Sequence, residues 1–385
     1  ICWSLLVAFL FTPFFSSFRV LISFPIPGNI TIWWNWGSII FFSLIFQIFT
    51  GFFLSFYYSG DSRFSFELMD LCFRDISFGF ILMLLHSTGC MIYFFSMYVH
   101  ISRGLYYGSY FFLGVWLVGS FLYLLSMGVA FLGYVLPWGN MSLWGATVIT
   151  NLLSAVPYVG SSLVVWLWGG YSVSTPTLTR FFSFHFLFPF VLLLFSFYHL
   201  LLLHLRGSSN PLGPVLKSRF VSFDPYFTLN DFLGILLVVF FFSVIALYYP
   251  LLEYDSSNFV EANFLVTPSH IKPEWYFLAA YAVLRSIPSK LGGVLFLAFF
   301  VFVYFVLPFV HSKEVYCFKS FLWSFFFYFW ILNFVSLTVI GGLPVSSPYV
   351  GLGMLFTVYY FFFLFLIPFK LDLWFTYMIG KFWPY

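Results

Sequence analysis

Charge is scarce in this 385-residue chain: 7% of its residues are Asp, Glu, Lys or Arg, and the formal net charge is only +3. A soluble domain uses about 25% charged residues, so this poverty excludes the soluble globular class. Cysteine is nearly absent as well. Cys2, Cys72, Cys90 and Cys317 are scattered and fit neither a zinc nor an iron–sulfur spacing. No cluster of Lys and Arg interleaved with polar residues is present, so the chain offers no footprint for nucleic acid. Residue 1 is Ile rather than Met, and the first 30 residues, with Pro13, Arg19, Pro25 and Pro27, lack the order of a secretory signal.

What fills the chain is apolar: 62% hydrophobic residues, 63 of them Phe, with a mean hydropathy of +1.02. The phenylalanine excess reads as bias at lipid-facing positions rather than as a binding signal. The apolar stretches run about 20 residues without strand-like alternation, which predicts membrane-spanning helices rather than a β-barrel. Eight spans are expected, at about 37–58, 78–102, 110–135, 180–204, 231–250, 291–310, 321–342 and 350–369. Polar punctuation separates them at Gly60 to Asp75, Arg103–Gly104, Arg206 to Asp231, Glu253 to Glu274 and His311/Lys313. Residues 142–170 carry no charge but are broken by Pro157, Gly160, Gly169 and Gly170, which favours two short helices in or near the interface over a ninth span. With both termini on one side, that side holds nine basic and four acidic residues and the other six and eight, so the termini are expected on the inside face.

Histidine gives the apolar spans a chemical pattern. His86 and His100 are 14 residues apart, and so are His185 and His199. Fourteen residues of helix rise about 21 Å and fall about 40° short of four turns, so each pair occupies one helix face at two depths. If a single span lies between the two helices and 142–170 does not cross, the helices are parallel, and His86 lies level with His185 and His100 with His199. A ninth span would re-pair them. Imidazole in hydrocarbon is costly unless bonded or ligated. Two haems account for all four, because each iron takes two axial nitrogens and the macrocycle suits a bundle interior. Gly37 and Gly51 on the first span, and Gly119 and Gly133 on the third, repeat the 14-residue interval and would spare a flat macrocycle from side chains. Interhelical hydrogen bonding or a proton path explains one pair but not equal spacing in both, and ligands about 21 Å apart along each helix do not suit zinc.

Around this lattice the sequence resembles the mitochondrial cytochrome b family. The resemblance rests on Gly133-Tyr134-Val135-Leu136-Pro137-Trp138-Gly139, on Trp144-Gly145-Ala146-Thr147-Val148-Ile149-Thr150-Asn151, on Pro273-Glu274-Trp275-Tyr276 and on Arg103-Gly104-Leu105-Tyr106-Tyr107-Gly108. Similar blocks run from about residue 30 to 310. It implies an all-α polytopic protein with eight transmembrane helices: a haem-binding four-helix bundle in an N-terminal domain, 1–215, and further helices in a C-terminal domain, 216–385. It also implies two haems b, a low-potential one on His86/His185 near the outer face and a high-potential one on His100/His199 near the matrix. Arg103 and Arg180 match positions that neutralise haem propionates.

The same resemblance implies ubiquinol oxidation at an outer site, with Tyr134, Gly145, Ile149, Pro273, Glu274, Tyr276 and Tyr281, and ubiquinone reduction at an inner site, with His204, Ser209 and Asp231. One electron would go to a Rieske iron–sulfur protein and one through the haems, coupled to proton translocation. Cytochrome c1, other Complex III subunits, a homodimeric complex, membrane lipids, the mitochondrial inner membrane and termini in the matrix follow as implied partners and location. A carboxylate at Glu274 can accept a proton from quinol, and His204 with Asp231 can deliver protons to reduced quinone. The chain departs from the family at four places: Met83 stands where an arginine is usual, Ser87-Thr88-Gly89-Cys90 where Asn-Gly-Ala-Ser is usual, Ser209 where Asn is common and Asn230 where Lys is common. A polytopic transporter leaves the four ligands unexplained, and a diheme anchor of another quinone oxidoreductase does not require the Pro-Glu-Trp-Tyr block.

Overall fold

A computed structural model describes residues 23–213, 217–252, 254–311 and 321–366. Cys2, Arg19, Glu253, Lys313, Glu314, Cys317, Lys319, Lys370, Asp372 and Lys381, which entered the cysteine and charge readings, lie outside these residues. Within them the chain is helical apart from β1 (Pro25–Pro27) and β2 (Phe220–Ser222), a short antiparallel pair in the register Pro25↔Ser222.

The helices are α1 (Trp36–Leu54), α2 (Ser65–Arg74), α3 (Gly79–Tyr106), α4 (Leu113–Val135), α5 (Asn140–Asn151), α6 (Gly160–Trp168), α7 (Thr175–Arg206), α8 (Tyr226–Tyr248), α9 (Trp275–Ser286), α10 (Lys290–Val310), α11 (Phe321–Gly341) and α12 (Tyr349–Leu366). Among the described residues seven helices are long and apolar enough to cross a membrane: α1, α3, α4, α7, α8, α10 and α11. The eighth expected span corresponds to α12, a shorter apolar helix over its described residues, and 367–369 lie outside them. Two further differences are amphipathic or partly polar helices that mean hydropathy passes over. Helix α2 occupies most of the polar stretch 60–75, and α9 follows directly on Glu274.

Residues 142–170 form the two short helices α5 and α6, of 12 and 9 residues, and neither is long enough to span. One span, α4, therefore separates α3 from α7, which makes those two helices parallel. Helix α7 starts on a capping box between Ser174 and Thr177 with proline in its first turn, and it stops at Gly207, whose φ of 85° no helix can continue.

In the N-terminal bundle α1 packs on α3 and α4 on α7. Helix α8 lies on α1 and α3, while α9 joins α10, α11 and α12. The core sits between the two halves: Phe94, Tyr123 and Tyr304 are buried with the Ala279-Ala280 and Ala282-Val283 surface of α9. Lipid is as apolar as these side chains, so close packing and interhelical hydrogen bonds hold such a contact. Across the halves Trp116 Nε1 donates to Tyr304 O at 2.7 Å, and the Tyr106 and Ser324 hydroxyls meet at 2.9 Å. Bonds of this kind contribute on the order of 0.6 to 2 kcal/mol each within a bilayer.

Candidate functional site

The parallel α3 and α7 bring the histidines together as level pairs. The rings of His86 and His185 have centroids 6.2 Å apart, and those of His100 and His199 are 6.4 Å apart. A metal–imidazole bond of about 2 Å, plus roughly 1.1 Å from nitrogen to ring centre, sets trans-ligated rings about 6.2 Å apart. Both pairs match that spacing.

The outer pair also has defined tautomers. His185 Nδ1 is 2.9 Å from the Val129 carbonyl, which can only accept, so the proton is on Nδ1 and the Nε2 lone pair is available. His86 Nδ1 is 2.9 Å from Thr50 Oγ1. That hydroxyl has one proton and lies 2.9 Å from Phe46 O, 3.2 Å from Gln47 O and 3.5 Å from Gln47 Oε1, so toward the ring it acts as acceptor. Gln47 Nε2 donates to the His86 carbonyl at 2.8 Å, while Pro189 cannot donate to the carbonyl of His185, which loosens α7 at that residue. In the inner pair, Arg103 Nη2 is 3.4 Å from His100 Nδ1. His199 Nδ1 is buried outside normal hydrogen-bond geometry, with the Val115 carbonyl beside it.

The four glycines back the four imidazoles. A Cβ built on Gly37 would be 3.5 Å from His100 Cε1, on Gly119 3.1 Å from His199 Cε1 and on Gly51 2.8 Å from His86 Cε1, and on Gly133 it would strike His185 Cε1. The sequence reading expected these glycines to spare a macrocycle from side chains; the protein atoms they face are the imidazoles that would hold it. Each histidine leans on the partner helix of its own pair, α1 behind α3 and α4 behind α7. A second fit to an anionic macrocycle is Arg103. Its guanidinium stacks on Trp34 at 5.0 Å, and its buried Nε has no hydrogen-bond partner among the described residues. Arg180 is placed differently: it is exposed and its Nη1 donates to the carbonyls of Trp166 (2.7 Å) and Leu167 (3.0 Å).

A cavity of about 350 Å³ opens beside the outer pair, lined by His86, His185, Met83, Tyr134, Glu274 and Tyr276 among others. Glu274 stands at the N-cap of α9 without a capping bond from its side chain. Burial, then the negative charge of Asp255, pushes its carboxyl up to about 7, against the pull of Lys272. Lys272 itself lies 3.9 Å from Asp255. Tyr276 contributes to the wall as a packed ring, stacked on Phe94 at 4.3 Å, with the Cys90 thiol donating to its hydroxyl at 3.7 Å. Gly145, Ile149, Pro273 and Tyr281 do not line this cavity. Tyr281 donates to Ile271 O at 3.2 Å, and Gly145 borders the Tyr134 ring.

The loop that carries Asp255 is fastened across α5. Asn140 N donates to Val260 O (2.8 Å), Ser142 N donates to Asn258 Oδ1 (2.9 Å) and Asn263 N donates to Asn140 Oδ1 (3.1 Å). Gly139 touches Asn258 so closely that no Cβ would fit. Asp255, Asn258 and Tyr254, which all line the cavity, escaped sequence reasoning, because only this folding back brings them there. Gln47 and Thr50 escaped it too, although two polar residues one turn apart in an apolar span are a readable signal.

On the inner side His204 stacks on Phe24 (4.9 Å, 16°), the Ser209 and Ser109 hydroxyls meet at 2.9 Å, and Asp231 is bonded to Ser38. Asn230, in place of the family's lysine, exchanges amide bonds with Asn35, receiving Asn35 Nδ2 on its carbonyl at 2.9 Å. The three expected inner residues therefore have three different neighbours, and no single contact joins them.

No group of three or more His, Cys, Asp or Glu capable of holding a bare metal ion occurs among the described residues, which leaves two-point ligation of a macrocycle as the arrangement these pairs suit. Comparison with known proteins agrees. Residues 21–207 match the family described as Cytochrome b/b6/petB, and residues 261–361 match Cytochrome b(C-terminal)/b6/petD. A solved chain of a hyperthermophilic respiratory Complex III superposes with a TM-score of 0.85 at 29% identity, over 92% of this chain and 95% of that one. The histidine lattice, the helix order and both matches together place the chain in the cytochrome b/b6 family.

Proposed function

We propose that the chain is the diheme, quinone-handling membrane subunit of a Complex III-type ubiquinol–cytochrome c reductase. The observation that carries this reading is the pair of facing imidazole layers, with ring centroids 6.2 and 6.4 Å apart, wide enough for one iron to be held between each pair, and each backed by glycines. His86 and His185 hold the outer, low-potential haem b, and His100 and His199 the inner, high-potential one. Arg103 neutralises a propionate at the inner centre; Arg180 serves the outer one after leaving the carbonyls of Trp166 and Leu167. When bound, haem would supply iron for one-electron transfer.

The chain's own residues manage the protons. In the outer cavity Glu274, poised near neutrality, accepts a hydrogen bond and then a proton from ubiquinol. Tyr134 and Tyr276 shape the walls, while Ile149 and Tyr281 support α5 and α9 from behind. On the inner side His204, with Asp231 and Ser209, delivers protons to reduced ubiquinone. The acceptor of the other electron is a Rieske iron–sulfur protein and then cytochrome c1, in a homodimeric assembly in the mitochondrial inner membrane, with the termini in the matrix. The N-terminal 1–215 carries the haems, and 216–385 completes the quinone sites.

Reduced-minus-oxidised spectra after separate replacement of His185 and His199 by Leu test the proposal. Each variant is expected to lose one low-spin b band and keep the other. A wild-type protein with no b band, or variants that lose the same band, would refute it.

A further inference from the structure

The four ligands rest on their neighbours by a repeating rule with one addition. On α4, the carbonyl beside each imidazole belongs to the residue four before the backing glycine: Val129 before Gly133, and Val115 before Gly119. On α1 the outer layer keeps the rule, with the Gln47 carbonyl, four before Gly51, beside the His86 ring, and adds a second partner. That partner is a side chain, the hydroxyl of Thr50, immediately before Gly51 and 2.9 Å from His86 Nδ1. The residues before the other three glycines are Trp36, Val118 and Leu132, none of which carries a hydroxyl. Thr50 is 2% exposed, so bulk water does not compete for the contact.

We infer that Thr50 is a positioning residue that sets the reduction potential of the outer centre through His86. This rests on the haem reading above. An acceptor on Nδ1–H holds the ring orientation and makes Nε2 a stronger electron donor. A stronger donor stabilises the oxidised metal more than the reduced one, so the bond keeps the potential of that centre low. The inner layer is built the opposite way. His100 Nδ1 meets a guanidinium, which can only donate, and His199 Nδ1 lacks a well-formed bond. Unequal Nδ1 partners thus bias the two centres in the direction that moves an electron inward. Gln47 assists by holding the His86 backbone at 2.8 Å, and Gly89, one turn from His86, leaves room for the Gln47 amide.

The experiment is a redox titration of the purified, fully assembled complex, following each b band separately in the wild type and in Thr50→Ser, Thr50→Cys and Thr50→Val. Loss of the acceptor in Thr50→Val is expected to shift the outer centre about tenfold toward the reduced form, or about 59 mV upward for one electron. Thr50→Ser keeps the wild-type potential, Thr50→Cys with its weak sulfur acceptor falls between, and the inner centre stays fixed in all three. Should Thr50→Val fail to assemble, the comparison of Ser with Cys carries the test. Two b bands with an unmoved outer potential across the series would overturn the role of Thr50 while leaving the haem reading intact. Absence of b bands from the wild type would instead remove the haem reading itself.

Discussion

Replacing each backing glycine with alanine separates the four positions by the room behind the imidazole. The new Cβ meets His100 at 3.5 Å from position 37, His199 at 3.1 Å from position 119 and His86 at 2.8 Å from position 51, and it collides with His185 from position 133. Carbon atoms pack best at about 3.5 to 4.0 Å, so the ring must retreat by roughly 0.7 Å at 51, by roughly 0.4 Å at 119 and not at all at 37. His185 must retreat furthest, since three of its ring atoms lie within 3.0 Å of the new methyl while its Nδ1 is fixed on Val129. Overpacking of this kind costs about 1 to 3 kcal/mol. That corresponds to roughly a 5- to 150-fold loss of haem affinity.

The assay is the amount of each b haem per chain, read from difference spectra of the purified complex. Gly133→Ala and Gly51→Ala are expected to deplete the outer haem, Gly119→Ala to lower the inner haem modestly and Gly37→Ala to leave both in place. Alanine is the better helix former by about 1 kcal/mol, so a loss cannot be assigned to a weakened helix. Equal losses at all four positions, or depletion of the inner haem by Gly51→Ala, would refute the packing argument.

The cavity yields two further predictions. Burial pushes the Glu274 carboxyl up to about 7, so with Glu274 as the proposed base quinol oxidation should rise with pH through neutrality. Glu274→Gln should remove that limb, and Asp255→Asn should move it to lower pH by deleting the negative charge that raises Glu274; a pH–rate profile unchanged in Glu274→Gln would discard the role. Met83 lines the same cavity as His86, at a position where related proteins usually carry arginine. Met83→Arg should raise the outer haem's potential, since a positive charge favours the added electron, and a titration showing no rise would count against that reading.

How far the sequence foretold this site depends on the distance over which its signals act. The 14-residue intervals are helical geometry, a property of single spans, and they singled out the four histidines and the four glycines before any tertiary information. The level pairing needed one more fact, that 142–170 does not cross, and Pro157 with its flanking glycines was enough to indicate it. Tertiary folding decided the rest. Tyr276 and Tyr281 sit five residues apart on α9, about 140° round the helix, so they face different ways, and Phe94 and the loop around Ile271 decide that Tyr276 is the one at the cavity. Asp255 is 19 residues from Glu274, and their charges interact only because the loop is fastened across α5.

The same reasoning explains why charge, so informative in soluble proteins, was the weaker guide here. Arg103 and Arg180 both fit the family's propionate positions by sequence, but the fold treats them oppositely. Arg103 is half-buried beside Trp34 and His100, and its buried Nε has no partner among the described residues, an expensive state that an anion would relieve. Arg180 is exposed and satisfied by two carbonyls at the end of α6, so moving it to a propionate exchanges existing bonds for new ones. An exchange contributes far less than the relief of an orphaned buried group. With haem held as proposed, Arg103 should therefore be the stronger determinant of its retention of the two arginines, and the inner haem should owe more to its arginine than the outer haem does. With Met83 where a second arginine is usual near the outer layer, the outer centre would rely on His86, His185, Thr50 and the glycine cradle, which is where substitutions should be felt most sharply.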